Sequence, residues 1–376
     1  MRAYPNKIGL FVFAAALATA LFAQELPVTT KQMSNQASET DLWDLGQNTS
    51  DADISPDDRL LAITLESSSS HHEQIAESLE VWGYRQHVKV SSAQVATYLR
   101  SGSAPNAVRF TADGSLLAVT EPARVHVFET ATLKPIRVID PQLEGGFRIF
   151  HIETSPSGHL AIVAANKYTI GILLAYDLDD GRLLFQWRSP HSVSSISWNA
   201  DGTQFAVAAP FLCTRDHDTV HVFSTNPWLH LKTLSARNPV SLAFSENYLY
   251  VVESSFCDGS AFDRHLGLAA FDIHGRKHRK TIFLPHKDIH DSVSFANGKL
   301  VANTGDVTTK HDWLDGTTTG VENTVQFTVW RGDVSSVEFT SPTLAIPSRG
   351  RPEKMRLSRT GKMVLLGRSP QVFQIP

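Results

Sequence analysis

One unit recurs along this chain about every 43 to 59 residues, and nothing else in it constrains the fold so tightly. The clearest copy is Ala107 to Asp140, "AVRFTADGSLLAVTEPARVHVFETATLKPIRVID". It reads as four short strands, "AVRF", "LLAV", "VHVF" and "PIRVI", rich in β-branched and aromatic residues, with "TADGS" turning the first into the second. That turn recurs as "SPDDR" at Ser55, "SPSGH" at Ser155, "NADGT" at Asn199 and "SRTGK" at Ser358, and in shortened form at Ser245 and Ala296. Asp, Asn and Gly suit it because such turns need positive φ or a side chain that bonds its own backbone.

An aromatic residue near the end of each third strand marks the period independently. These are Trp82, Phe128, Tyr176, Phe223, Phe271, Trp330 and Phe373, at spacings of 46, 48, 47, 48, 59 and 43. The two markers agree in number and phase. Four strands per unit at this period predict an all-β fold, a seven-bladed β-propeller of four-stranded antiparallel blades.

Asp177 and Asp272 follow their aromatics, as in the Trp-Asp dipeptide, so the chain resembles the WD-repeat propellers over residues 51–376. The Gly-His dipeptide of that family does not recur with the repeat, and neither Trp82 nor Trp330 is followed by Asp. The resemblance therefore implies the fold and a role as a binding platform, but no particular binding residue.

The last unit stops after its third strand, at Pro376. Residues 24–50 precede the first unit and contain "ETDLWDL", which is expected to supply the missing strand and close the ring. Residues 1–23 read as a signal peptide. Arg2 and Lys7 precede an apolar run from Ile8 to Ala23 that ends in small residues and is short for a membrane span. The expectation is an exported protein, secreted or periplasmic, with no integral membrane span after signal removal. Loss of Arg2 and Lys7 takes the formal charge from −4 to −6, which offers no general attraction to nucleic acid.

Antiparallel strands put the first-to-second and third-to-fourth turns on one face and the second-to-third loops on the other. Nearly all extra length falls on the second face: Glu66 to Ser78, Ala209 to Thr219, Glu253 to Leu266 and Thr304 to Asn323, with links at Ser91 to Asn106 and Ser341 to Pro352. Function concentrates in such loops, so this long-loop face is the expected binding face. Its candidate residues are His217, Asp218, Asp258, Phe262, Asp263, His265, His311, Asp312, Trp313 and Asp315. Cys213 and Cys257 occupy matching positions in adjacent units, and in an exported protein are expected to form a disulfide. His and Asp converging from three blades have the chemistry of a divalent-cation site, but no spacing here is diagnostic, and they read as polar loop residues. No metal or other cofactor is assigned.

Other motifs carry less. "RGD" at Arg331 sits where a third-to-fourth turn needs Gly and Asp. "HHEQIAES" at His71 lacks the second His of a zinc-protease helix and reads as polar loop. "AYDLDDGRLLFQW" at Ala175 is similar to a docking motif of quinone-dependent propellers but occurs once. The chain contains no Gly-x-Ser-x-Gly elbow or phosphate-cradling loop. The function expected is a non-catalytic binding platform whose partner is a protein or peptide. The alternative is a hydrolase resembling the lactonase propellers, with a divalent metal near the central channel and acidic or amide side chains around its mouth.

Overall fold

The computed structural model describes residues 49–68, 74–99, 107–210, 219–254, 266–273, 279–282, 292–303, 307–308, 322–332, 334, 336–341, 344–346, 355–366 and 371–375. All belong to one compact unit, Glu39–Pro376; a separate unit, Met1–Ser38, lies outside them, as does most of the expected ring-closing segment. The described residues are strands and turns, without a helix.

The chain is a seven-bladed β-propeller. Blade one is β1 (Thr49–Ile54), β2 (Leu60–Ser68), β3 (Gln74–Gly83) and β4 (Val88–Leu99). Blade two is β5 (Val108–Phe110), β6 (Leu116–Thr120), β7 (Val125–Glu129) and β8 (Pro135–Ile139). Blade three is β9 (Arg148–Thr154), β10 (Leu160–Lys167), β11 (Ile170–Asp177) and β12 (Leu183–Ser189). Blade four is β13 (Ser195–Trp198), β14 (Gln204–Ala208), β15 (Val220–Thr225) and β16 (Trp228–Leu234). Blade five is β17 (Pro239–Phe244), β18 (Tyr248–Ser254), β19 (Leu266–Asp272) and β20 (Arg279–Ile282). Blade six pairs β21 (Val293–Ala296) and β22 (Lys299–Asn303) with β25 (Phe327–Arg331) and β26 (Val337–Thr340). Between and after these lie β23 (Val307–Thr308), β24 (Glu322–Val325) and β27 (Leu344–Ile346), which form a small sheet of their own. Blade seven has three described strands, β28 (Met355–Leu357), β29 (Met363–Leu366) and β30 (Gln371–Gln374).

Why these strands stack as blades is visible in β6 and β14. Alternate strand residues point to opposite faces, and in a propeller both faces are buried, so these strands are apolar almost throughout. From β6, Leu117 and Val119 pack against blade one while Leu116 and Ala118 pack against blade three. From β14, Phe205 and Val207 face blade three, and Ala206 and Ala208 face blade five. Seven apolar clusters among the described residues correspond to the seven blade interfaces. The last joins Ala52, Ile54, Leu61 and Ile63 of blade one to Met363, Leu365 and Val372 of blade seven, closing the ring.

The seven marker aromatics all fall on third strands, and each packs onto the preceding blade: Phe128 onto blade one, Phe223 onto blade three, Trp330 onto blade five. In five blades the ladder to the outer strand shifts register just before this residue, at Trp82, Phe128, Tyr176, Phe223 and Trp330. Such bulges increase local twist, so the marker stands where the blade turns its outer strand.

The seven inner turns lie where the sequence placed them. In the first, the Ser55 hydroxyl accepts from the Leu60 N–H at 2.8 Å and donates to Asp57 at 2.6 Å. Gly202, at φ +73°, needs glycine twice over, because a Cβ there would also meet the Ser157 and Ser155 hydroxyls of the neighbouring turn at 2.2 and 2.6 Å. Arg331 of the "RGD" tripeptide ends β25, as read, and pairs with Glu338 at 3.2 Å.

Two expectations about loops are corrected. Much of Glu66 to Ser78, read as loop, is strand: β2 runs to Ser68 and β3 begins at Gln74, while β4 absorbs most of the link from Ser91. The polar composition of "HHEQIAES" hid a strand whose period of two continues inward through Glu77, Leu79 and Val81, all buried. The Glu77 carboxyl has no hydrogen-bond partner among the described residues, and burial, reinforced by Glu66 and Glu121, pushes it up to about 9. In blade six the insertion and the link after β26 are not independent, since β24 pairs with β27 across them.

Candidate functional site

The residues proposed for the long-loop face, His217, Asp218, Asp258, Phe262, Asp263, His265, His311, Asp312, Trp313 and Asp315, lie outside the described residues, as do Cys213 and Cys257. The strand ends that flank them are described. Ala208 pairs with Val220, Ser254 with Leu266, and Asn303 with Phe327, so three consecutive blades open their second-to-third connections on one side. The tight inner turns lie on the other.

The central channel is a site the sequence reading left unassigned. Innermost strands are edge strands, so their N–H groups facing the axis need partners. The preceding blade supplies them through side chains. Ser195 and Ser197 of β13 accept from the N–H groups of Leu242 and Phe244 at 3.2 and 3.0 Å. Ser241 accepts from Val293 at 3.1 Å, and Ser292 and Ser294 accept from Met355 and Leu357 at 2.8 and 3.1 Å. In blade one the equivalent positions hold carboxylates: Asp51 accepts from Val108 at 3.3 Å and Asp53 from Phe110 at 2.9 Å.

Counting back two residues from the start of each inner turn gives one layer of the channel wall. Blades one, two, three and seven contribute Asp53, Arg109, Glu153 and Arg356; blades four, five and six contribute Ser197, Ala243 and Ser294. Three of the charged members, Arg109, Glu153 and Arg356, are bound to one another. Arg109, almost wholly buried, pairs with Asp51 and places Nε and Nη2 on Glu153 Oε1 at 3.3 and 3.2 Å. Arg356 reaches from blade seven to the same carboxylate, with Nη1 on Glu153 Oε2 at 3.2 Å and Nη2 on Oε1. Glu153 thus holds two guanidinium groups, one from the adjacent blade two and one from blade seven.

Electrostatics follow from this packing. Burial acts against the charge of Arg109, but Asp51, Glu153 and Asp53 more than offset it and hold the group well above its ordinary range. Burial pushes Asp53 up to about 6, despite the opposing pull of Arg109, the Phe110 N–H and Arg359. Arg359, in the inner turn of blade seven, is lowered by burial against the attraction of Asp53, Glu153 and Asp113. Beside this network, toward the serine-lined blades, the channel opens into a cavity of about 480 Å³ whose wall also includes His151, Trp198 and Phe295.

Among the described residues no group of three or more His, Cys, Asp or Glu is placed to hold a metal ion. The acidic side chains at the axis face arginines. A sequence signal for this layer existed in the pairs Asp51/Asp53, Ser195/Ser197 and Ser292/Ser294 before the turns, together with Arg109, Glu153 and Arg356 in phase with them.

No family model matches the chain, and no curated protein matches it. Solved structures do. A chain of "Crystal Structure of Mitotic Checkpoint Complex" is 15% identical with a TM-score of 0.59, over 86% of this chain and 88% of that one. A chain of "Kuenenia stuttgartiensis Hydrazine Synthase" is 14% identical with a TM-score of 0.60, over 91% and 98%. At these identities the likeness shows the propeller fold. Among the described residues no helix is long and apolar enough to cross a membrane.

Proposed function

We propose that this chain is an exported, non-catalytic binding platform that engages a protein partner through its long-loop face. The observation that carries the reading is the common opening of blades four, five and six, whose paired strand ends deliver three extended connections to one side of a rigid ring. Those connections concentrate Trp313 and Phe262 among His and Asp, and aromatics in a polar setting are frequent interface anchors. The pairing of Asp51 and Glu153 with Arg109 and Arg356 favours binding over metal-assisted hydrolysis. One fold neighbour belongs to the mitotic checkpoint complex and another to hydrazine synthase, so fold likeness alone does not choose between these classes.

The test is capture of the partner from native extract by the purified protein. Replacing Trp313, His311 and His265 with Ala is expected to weaken capture by about tenfold or more, with an unchanged melting temperature. Ala at Arg331, on the opposite face, and at Asp333 is expected to leave it intact. Loss of capture with the second pair and retention with the triple variant would show that the wrong face was chosen. Export is read from the N-terminus of the mature protein, and the Cys213–Cys257 disulfide from an intact mass about two units lower before reduction than after.

A further inference from the structure

The central channel holds more hydrogen-bond donors than it uses. Ser195, Ser197, Ser241 and Ser294 each accept a backbone N–H from the next blade, which leaves each hydroxyl proton available to the cavity they line. Opposite them the guanidinium groups of Arg109 and Arg356 are taken up by Asp51 and Glu153. Arg359 is not. It lines the same cavity, half-buried in the field of Asp53, Glu153 and Asp113, with no direct ion pair or hydrogen bond among the described residues. A half-buried guanidinium without a direct partner is costly to keep, and its planar fork matches the oxygens of a carboxylate or phosphate.

From this arrangement we propose that the channel cavity binds a small ligand bearing an oxyanion, carboxylate or phosphate, with Arg359 as its anchor and the serine hydroxyls as its secondary donors. A volume of about 480 Å³ lies within the ordinary span of small-molecule sites, about 300–1,000 Å³. Donors on the serine wall and a cation at Arg359 select an anion over a metal ion. The opposing charge that acts most strongly on it is Asp53, whose own neighbours are Asp51, Arg109 and the Phe110 N–H; His151 and Glu153 of blade three line the same cavity. As pH falls through about 6, Asp53 takes up a proton and ceases to oppose the anion.

Isothermal titration calorimetry of the purified protein in Tris chloride, with citrate, with inorganic phosphate and with glycerol as a neutral control, tests this. Saturable binding of citrate but not phosphate assigns a carboxylate, the converse assigns a phosphate, and glycerol is expected not to bind. Arg359→Gln is expected to weaken the anion about tenfold or more, the loss of one charge-assisted contact. Arg182→Gln removes the same charge on an exposed outer turn and is expected to change nothing. Asp53→Asn keeps an acceptor for the Phe110 N–H and is expected to tighten binding at neutral pH. No binding of either anion, or equal affinity in the wild type and Arg359→Gln, overturns the proposal, the latter showing an adventitious ion only. Should Arg359→Gln fail to fold, Asp53→Asn decides, and an unchanged affinity in that variant overturns the proposal.

Discussion

The two halves of the channel wall solve one problem with different chemistry. From blade four to blade seven, serine hydroxyls satisfy the N–H groups of the following inner strand and leave no charge behind. From blade one to blade two, the same task falls to Asp51 and Asp53. Carboxylates accept more strongly than hydroxyls, but near the axis they carry a desolvation penalty that calls for cations close by. Arg109 answers Asp51, and Glu153 then answers Arg109 and Arg356 together. Once charge enters the inner layer at one blade, its neighbours are constrained to carry charge as well. The serine half is free of that constraint, and there the cavity opens.

Breaking the charged half should therefore cost most. Glu153→Ala strands Arg109 and Arg356 with reduced compensation, and the expected loss is about 3–5 kcal/mol, the usual consequence of removing one partner from a buried ion pair. Urea denaturation measures it, and a loss no greater than that of a serine variant would mean that the network is decorative. Ser197→Ala, in the neutral half, leaves the Phe244 N–H without its acceptor, for an expected loss of about 1–3 kcal/mol. Replacing Ser197 with Thr restores the acceptor, so recovery of stability in that variant separates the hydrogen bond from mere volume.

The smallest effect belongs to the exposed turns of blades two and three. His159 of blade three bridges Asp113 of blade two at 3.1 Å and Asp179 at 2.7 Å. Partial burial acts against its charge, but hydrogen bonds to Asp179 and Asp113 raise it above its ordinary value. A raised folded-state value means that the bridge stabilises fully below the unfolded pKa and fades as pH rises through the folded one. His159→Ala is accordingly expected to cost about 0.3–1 kcal/mol near pH 6 and nothing measurable near pH 9. A deficit that persists unchanged at the higher pH would assign His159 a packing role instead.

Blade number and phase were legible because each marker has a local cause. The turns need particular residues for their φ angles and side-chain bonds, and the aromatic sits where the third strand bulges toward its outer neighbour. The strand through Glu77 was not legible, since a buried carboxyl on a strand looks like loop composition until its burial is known. Nor was the bridge between Arg356 and Glu153, 203 residues apart. Nothing local to either residue distinguishes it from a charged residue facing water. Ser195, Ser197, Ser292 and Ser294 were legible as alternation but not as function, because a hydroxyl on every second position is also what a solvent-facing strand shows.

The seven interface clusters differ in one respect that concerns time rather than stability. Six join blades that follow one another along the chain, whereas the seventh brings together segments such as those of Asp58 and Thr360, 302 residues apart. Closing a loop of that length rather than one of a single repeat adds only about 2 kcal/mol of entropy. That is comparable with burying one of the side chains it unites, Leu61, Ile63, Leu365 or Val372, at about 1.5–3 kcal/mol each. The closed ring is thus thermodynamically secure. Its assembly, however, depends on one encounter between distant segments, so the seam between blades seven and one is expected to form last, and substitutions there to speed unfolding more than they slow folding.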